Sequence, residues 1–343
     1  MLISVVVPFR NAELTIKACL EALVVQDVRA KEIIVVDNGS TDRSEEEVLS
    51  FIRKQKALNI YLVKETKIGP SAARNRGIKE ASGEIVAFTD SDCVPDKHWL
   101  KNVEQAFRNP GTGAVAGRIM GMDPASIVDK FHAMFTMQGF PEAQTFCEFT
   151  LLRGGFPTAN LAVRKPLLDL LGGFDENMQI YTEDYDLCAR IYQAGYCIHY
   201  EPLALVYHHH RNTLKGTWLQ SFGFGKGHPV LLRRHFRSMV IVALPGFEYQ
   251  SRNLRLKLWL DFKGADKKLL ILIVICLFYW PSAILIPAFF LYLLADMRRR
   301  LAKHRLHARF IDTWRLVFLL IFKSSAISAG RMIGSLYNGV FCI

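Results

Sequence analysis

The residues best suited to chemistry are Asp90 and Asp92, which follow the apolar stretch Ile85–Thr89 and are separated by one serine. The stretch predicts a buried strand, so both carboxylates would lie just beyond its carboxyl end. Ligands of open α/β sheets bind at that edge. Paired carboxylates there suit a divalent cation that also holds a phosphate. A solvated turn is the alternative, because aspartate and serine are ordinary turn residues.

A second acidic pair, Glu183 and Asp184, lies near the start of the segment Thr182–Tyr196. Apolar residues recur after it at helical spacing, and Gly195 favours a helix end. Carboxylates at the start of a helix interact favourably with its dipole, so capping alone is one interpretation. The other is a general base, since a carboxylate can accept the proton of an attacking hydroxyl.

Three apolar segments predict the strands that would position these residues: Ile3–Pro8, Glu32–Asp37 and Ile85–Thr89. Helical segments between them favour a parallel sheet that is covered on both faces. The carboxyl ends of parallel strands share one edge of the sheet, so one ligand could contact the residues that follow all three strands.

Three motifs, in this order and spacing, resemble the family 2 glycosyltransferases of the GT-A fold. They are MLISVVVPFRNAELTIKACLEAL, EIIVVDNGSTD and IGPSAARNRGIKEASGEIVAFTDSDC. The resemblance covers roughly residues 1–230. It implies an α/β domain with the GT-A nucleotide-diphospho-sugar transferase fold and a Rossmann-like, mostly parallel sheet. Residues 1–120 would bind the nucleotide sugar, and residues 121–230 would form the acceptor half.

The resemblance also implies roles for single residues. The donor-binding residues would be Pro8, Phe9, Asn11, Asp37, Arg74 and Asp90. The ligands of a Mg²⁺ or Mn²⁺ ion would be Asp92, Asp90 and, from the cluster at 208–210, His208. The catalytic pair would be Asp184, as general base, and Glu183. The acceptor would contact Gly155, Asn160 and Arg190, although a plain loop before an edge strand is an equal alternative for the glycine segment.

Charge divides the chain into two parts. Residues 1–205 hold 22 Lys/Arg and 27 Asp/Glu, whereas residues 206–343 hold 21 and 5, a net charge of +16. Such a basic part suits an anionic membrane surface, and nucleic acid is the rival partner. The segment Leu269–Ala295 has no charged residue and is too long for an ordinary core helix. We therefore expect a membrane and no nucleic acid.

Residues 231–343 are predicted to be a basic, membrane-associated helical tail. Pro281 and Pro287 would break its apolar segment 269–295. Positive residues flank the segment on both sides, so a single span and a re-entrant hairpin both remain open. Trp314–Phe322 is predicted to be an interfacial helix. The seven cysteines are scattered, which favours a reducing compartment and a cytoplasmic catalytic domain.

Two other segments carry expectations. The motif FGFGKG, Phe222–Gly227, lacks the spacing of a P-loop and is predicted to be a flexible loop near the diphosphate. The segment Gly121–Leu152 either covers a lipid-like acceptor or packs as a helix, and packing is favoured. Its large apolar residues are Phe131, Met134, Phe135, Met137 and Phe140.

The sequence thus predicts a metal-dependent, inverting glycosyltransferase at the cytosolic face of a membrane. It would move one sugar from a nucleotide-diphosphate sugar to a hydroxyl acceptor that is lipid-linked or part of an envelope glycan. A processive polysaccharide synthase is one alternative, but Trp218–Gly227 does not supply the expected QxxRW motif. A catalytically inactive membrane scaffold is another, and it would be expected to lose Asp90, Asp92 or Asp184. Nucleotidyl transfer is disfavoured because the start of the chain lacks a Gly-rich phosphate loop with a lysine.

Overall fold

The computed structural model describes residues 1–55, 59–122, 124–136, 139–178, 181–209 and 213–343. The chain divides into two compact units. The first comprises residues 1–122, 137–179 and 183–209, and the second comprises residues 123–136, 180–182 and 210–343. The predicted functional boundary at residue 230 stays a prediction.

The first unit is built on one large sheet. Its strands are β1 (Ile3–Phe9), β2 (Glu32–Asp37), β3 (Ile60–Lys64), β4 (Ile85–Phe88), β5 (Cys93–Pro95), β6 (Thr112–Gly121), β7 (Gln144–Phe146), β8 (Leu161–Arg164) and β9 (Cys197–His208). Their spatial order is β3-β2-β1-β4-β8-β6-β9-β5, and β7 also pairs with β9. Strands β1 to β4 pair in parallel, whereas β8 runs antiparallel to β4 and β6. The predicted mostly parallel α/β sheet is therefore confirmed.

Helices cover this sheet, and its central strands are accordingly continuous apolar runs. They are α1 (Ile16–Val24), α2 (Ser44–Lys54), α3 (Pro70–Glu80), α4 (Trp99–Ala106), then, after α5 (Ile127–Phe135) of the second unit, α6 (Lys165–Leu171) and α7 (Glu183–Gln193). All residues of β2 and β4 are buried, as expected for strands that are covered on both faces. The first polar residues after these strands lie at the sheet edge, where the candidate site is found.

The second unit contains α5, α8 (Leu214–His235), α9 (Ala265–Phe278), α10 (Leu285–Lys303) and α11 (Phe310–Asn338). A small sheet of order β11-β10-β12-β13 accompanies them. Its strands are β10 (Met239–Leu244), β11 (Phe247–Ser251), β12 (Lys257–Asp261) and β13 (Phe341–Cys342). In the segment predicted to pack as a helix, Phe131 and Met134 are buried in the core of this unit, and Met137 lies outside the described residues.

The motif FGFGKG lies inside α8, so the prediction of a flexible loop is wrong. Its glycines allow two helix backbones to approach closely, as small residues do at helix contacts. A Cβ atom at Gly225 would lie 2.1 Å from the carbonyl oxygen of Ile327 in α11. One at Gly330 of α11 would lie 2.2 Å from the carbonyl oxygen of Phe222. The motif therefore serves helix packing.

The apolar segment 269–295 is broken, as its prolines predict. Helix α9 ends at Phe278, a 3₁₀ helix covers Trp280–Ile284, and α10 begins at Leu285. Two helical stretches, Trp280–Lys303 and Phe310–Asn338, are long and apolar enough to cross a membrane. The predicted interfacial helix Trp314–Phe322 is only the first part of the second stretch.

The cysteines differ from the expectation of a reducing compartment. Cys147, directly after β7, forms a disulfide with Cys197, the first residue of β9. The remaining cysteines are free, namely Cys19, Cys93, Cys188, Cys276 and Cys342. Disulfides are rare where thiols are kept reduced, so this bond counts against the predicted compartment.

Candidate active site

Arg74 of α3 joins the two acidic pairs. Its guanidinium donates to Asp90 Oδ1 at 3.0 Å and to Glu183 Oε1 at 3.1 Å. The Arg74 side chain is only 6% exposed. Burial disfavours its charge, but the neighbouring carboxylates outweigh burial and raise the pKa of Arg74. The buried Arg74 guanidinium therefore links the sheet edge after β4 to the first turn of α7 through two ion pairs.

Asp184 lies beside Glu183 in the first turn of α7. Its Oδ1 accepts a hydrogen bond from the Tyr185 backbone N–H at 2.9 Å. Burial and then the negative charge of Glu183 raise the pKa of Asp184 to about 8, while Arg74 opposes this shift. A carboxyl group whose pKa lies near the working pH is well suited to accept and release a proton.

Gly155 has a packing role beside this carboxylate. A Cβ atom at Gly155 would lie 2.1 Å from Cδ1 of the Tyr185 ring, so only glycine lets this ring approach the backbone. Tyr185 follows Asp184 directly in the chain. The predicted contact between Gly155 and an acceptor stays a prediction.

Asn160 was predicted to bind the acceptor, and its environment corrects this. Its amide nitrogen donates to the carbonyl oxygens of Arg118 and Ala204, each at 2.8 Å. Its Oδ1 accepts a hydrogen bond from Trp99 Nε1 at 2.8 Å. Both amide N–H groups and the oxygen are thus used inside the fold, where Asn160 connects three elements of the first unit.

Arg190, the third predicted acceptor residue, is also engaged by the protein. Its Nε donates to Asp186 Oδ2 at 2.8 Å, and one terminal nitrogen donates to the Leu171 carbonyl at 3.0 Å. The other terminal nitrogen is buried and lacks a hydrogen-bond partner among the described residues. An acceptor contact through this nitrogen stays a prediction.

Two asparagine side chains hold the loops after β1 and β2, where the nucleotide-sugar donor is predicted to bind. Asn11 has a positive φ of 54°, and its Oδ1 accepts from the Thr41 backbone N–H at 2.8 Å. Asn38 donates to the Lys67 carbonyl and accepts from the Gly69 N–H, both at 2.8 Å. Asn38 is not among the predicted site residues, and the signal that could have identified it is its position directly after β2.

The remaining donor residues differ in exposure. The Phe9 side chain is only 3% exposed and packs in the core, which corrects the prediction that it contacts the base. Asp37 pairs with Phe9 in the sheet register and accepts from the Ser40 N–H at 3.0 Å through Oδ1. Pro8 is partly exposed in β1. Base contacts of Pro8 and Asp37 stay predictions.

A candidate metal centre lies where β5 and β9 meet. His208 Nε2 lies 3.5 Å from Asp92 Oδ1. The ligand atoms of Asp92, Cys93 and His208 all lie within 4.8 Å of one another. Carboxylate, imidazole and thiol groups are ligands of divalent cations, so this set fits a metal ion.

The two aspartates of the motif have different partners. Asp92 lies beside His208, as the predicted metal site requires, whereas Asp90 forms an ion pair with Arg74. Within the described residues, Asp90 is not part of the cluster of Asp92, Cys93 and His208, and its role as a metal ligand stays a prediction. His210 of the histidine run lies outside the described residues.

The chain is similar to several known proteins. Residues 4–171 match the family model "Glycosyl transferase family 2". A pre-mycofactocin glycosyltransferase of Mycobacterium tuberculosis is 32% identical over 250 residues, which are 71% of this chain and 50% of that protein. A poly-β-1,6-N-acetyl-D-glucosamine synthase of Staphylococcus aureus is 29% identical over 254 residues, which are 73% of this chain and 60% of that protein. The chain thus spans about half to three fifths of these relatives.

A solved structure shares the fold along nearly the whole chain. The mannosyltransferase PcManGT from Pyrobaculum calidifontis, solved with GDP-Man and Mn²⁺, aligns with a TM-score of 0.57 and 20% identity. The alignment covers 96% of this chain and 86% of that protein, and at this identity it supports the fold alone. With the matched family model and the sheet described above, residues 4–171 belong to a domain of glycosyl transferase family 2, and this domain has the GT-A fold.

Proposed function

We propose that this protein is a glycosyltransferase that moves one sugar from a nucleotide-diphosphate sugar to a hydroxyl acceptor. The observation that carries the proposal is the Arg74 bridge, the pair of ion pairs that Arg74 forms with Asp90 and with Glu183. It connects the sheet edge at Asp90 to the helix turn that contains Asp184. It supports a base close to the edge at which ligands of such sheets bind. The relatives named above as glycosyl-transfer enzymes support the reaction class.

The proposed reaction is a single displacement. The acceptor oxygen forms a bond to the anomeric carbon while the bond from that carbon to the diphosphate oxygen breaks. Asp184 accepts the hydroxyl proton as general base. Because the attacking and leaving oxygens lie on opposite faces of the sugar, its configuration would invert.

The donor would lie against the loops that Asn11 and Asn38 fix, with Pro8 and Asp37 as proposed base contacts. Asp92 and His208 would hold a divalent cation such as Mg²⁺ or Mn²⁺. When bound, the cation would neutralise negative charge that develops on the leaving diphosphate. The mannosyltransferase that shares the fold was solved with Mn²⁺ and GDP-Man, a cation and a donor of these classes.

Membrane association is the second part of the proposal. The two apolar helical stretches and the charge of residues 206–343 support attachment to an anionic membrane. An acceptor that is lipid-linked or part of an envelope glycan would be reached there. The Cys147–Cys197 disulfide favours an oxidising environment and so argues against the predicted cytoplasmic catalytic domain.

Processive polymerisation is the second candidate, because the polysaccharide synthase relative is similar over 73% of the chain. Single transfer is favoured because Trp218–Gly227 lacks the motif expected of a processive enzyme and lies within α8. Product length separates the two: one added sugar per acceptor supports single transfer, and a ladder of longer products supports the synthase.

A donor screen tests the proposal. The full chain is incubated with UDP- and GDP-sugars in Mn²⁺, and thermal melting and donor hydrolysis are measured. We expect one donor to raise the melting temperature and to be hydrolysed, and excess chelator to abolish the hydrolysis. Asp92→Ala should lose the hydrolysis but keep the fold, because a partly exposed carboxylate contributes little packing. Full activity in chelator would contradict a metal-dependent mechanism.

A further inference from the structure

Cys93 faces the proposed cation site from β5. In the antiparallel register of β5 and β9, Cys93 lies directly opposite His208. Opposite residues of such a pair have side chains on the same face of the sheet. Cys93 Sγ lies 3.9 Å from Asp92 Oδ1, which in turn lies 3.5 Å from His208 Nε2. A thiol, a carboxylate and an imidazole therefore converge on one point.

Two of the three separations are close to those of a tetrahedral site. Zinc takes oxygen and nitrogen ligands at about 2.1 Å and sulfur at about 2.3 Å, so tetrahedral angles place ligand atoms about 3.4 Å (O to N) and about 3.6 Å (O to S) apart. The measured separations, 3.5 Å and 3.9 Å, differ from these by a few tenths of an ångström. Three protein ligands would leave a fourth position for water or a substrate oxygen, as catalytic sites do.

We propose that Cys93 is a third protein ligand of this site, which therefore binds thiophilic cations such as Zn²⁺, Co²⁺ or Cd²⁺ more tightly than Mg²⁺. The inference rests on the proposed function only in placing a cation at Asp92 and His208. Thiolates select soft cations and imidazole suits zinc, whereas Mg²⁺ prefers oxygen ligands alone. The bound cation would deprotonate the thiol and release one proton.

The chain contains a matched control in Cys19. Both thiols are fully buried in the same core, and the Cys19 thiol lies 3.5 Å from the backbone carbonyl oxygen of Asp90. Cys19 is not in the ligand cluster. The alternative is that Cys93, like Cys19, is only a small residue packed in the core. Comparing the two cysteines therefore separates metal ligation from packing.

Optical titration tests the ligand directly. Full-length wild-type protein, Cys19→Ser and Cys93→Ser are titrated with Co²⁺, and the near-ultraviolet thiolate-to-cobalt charge-transfer band is measured. We expect the band in wild type and Cys19→Ser and its absence in Cys93→Ser. The Cd²⁺ affinity of Cys93→Ser should fall by at least about tenfold, since even outer-shell changes cost that much. An unchanged band or Cd²⁺ affinity would overturn the inference.

Two further measurements keep the inference testable if Cys93→Ser does not fold. X-ray absorption of wild-type protein loaded with one Zn²⁺ should show one sulfur scatterer at about 2.3 Å. A shell of oxygen and nitrogen alone would overturn the role of Cys93. Mn²⁺ binding, measured by electron paramagnetic resonance, reports the underlying site: if Mn²⁺ binds but no sulfur ligand appears, the Cys93 inference fails and the proposed function survives. If no cation binds, both fail.

Discussion

At the scale of single residues, the candidate site depends on one buried guanidinium that two carboxylates share. Arg74 contacts Asp90 and Glu183, which are 16 and 109 residues away in the chain. Asp90 therefore has a cationic side chain of the protein as its partner. Asp92 is left as the carboxylate that faces His208.

The first prediction concerns this bridge. Arg74→Met should lower the free energy of unfolding by about 3 kcal/mol, because removing one partner leaves buried carboxylates without a countercharge. Arg76→Met is the matched control on α3, where Arg76 forms a partly exposed pair with Glu80, and it should cost less than about 1 kcal/mol. Chemical denaturation of both variants measures the difference. Equal effects would show that the bridge does not stabilise the fold.

The second prediction concerns the proposed base. Asp184→Asn keeps the shape of the side chain but removes the proton acceptor, so turnover should fall by about 10²- to 10⁴-fold. The dissociation constant of the nucleotide donor should change little, because the donor loops follow β1 and β2. Steady-state rates and donor titration measure the two effects. If Glu183→Gln instead caused the large loss and Asp184→Asn were nearly normal, the base would be Glu183.

The third prediction follows from the pKa of Asp184, which is raised from 3.8 to about 8. A base must be deprotonated, so kcat/KM should fall as the pH is lowered through about 8. The raised pKa means that the folded state favours the protonated carboxyl. Its contribution to stability is therefore present below the unfolded pKa and is lost as the pH rises through about 8.

Asp184→Asn, which has no carboxylate to bury, should therefore gain melting temperature over wild type at pH 9 and show little difference near pH 4. Melting curves at the two pH values check this. A larger gain at the acidic pH would mean that the pKa is shifted in the opposite direction.

Part of the site could be predicted at the scale of single residues, and the predictions that the structure corrects share one cause. The sequence, through motif order and the family resemblance, singles out Arg74, Asp92, Asp184 and His208, whose roles stay predictions. The structure places Asp92 beside His208 and Arg74 beside Asp90. The sequence could not show that Asn160 is fully hydrogen-bonded or that Phe9 is buried in the core, because both depend on tertiary neighbours. The sequence does not show that Cys93 lies opposite His208, because cross-strand register is not visible in it.

At the scale of elements, α8 and α11 pack through glycines. The fourth prediction is that Gly330→Leu strongly destabilises the second unit, because its Cβ would meet the Phe222 carbonyl oxygen at 2.2 Å and the α8 backbone cannot move away cheaply. Leu336→Ala, at an exposed position of α11, is the control and should have little effect. Thermal melting compares the two, and equal melting temperatures would show that the helices do not need this close approach.

The elements also show where sequence patterns are informative. Strand β2 was predicted with its observed bounds, because four apolar β-branched residues end at an Asp-Asn-Gly turn. The motif in α8 was misassigned because three glycines in six residues normally indicate a loop. Its conformation depends on the helix that packs against it, which a local pattern does not contain.

At the scale of the whole molecule, charge and apolar segments predict attachment to a membrane. The fifth prediction is that the protein stays in the membrane fraction through a high-salt wash, because apolar insertion is not screened by salt. Fractionation followed by immunoblotting measures this. Release by salt alone would indicate purely electrostatic binding of the basic residues.

The most direct test of the proposed single displacement is the configuration of the sugar that the enzyme releases. The wild-type protein is incubated with the donor found in the screen, and proton NMR follows the anomeric signal before mutarotation. We expect the first sugar formed to have the anomeric configuration opposite to that of the donor, since Asp184 would activate the attacking oxygen on the face opposite the diphosphate. A first product with the donor's own configuration would contradict a single displacement with Asp184 as base.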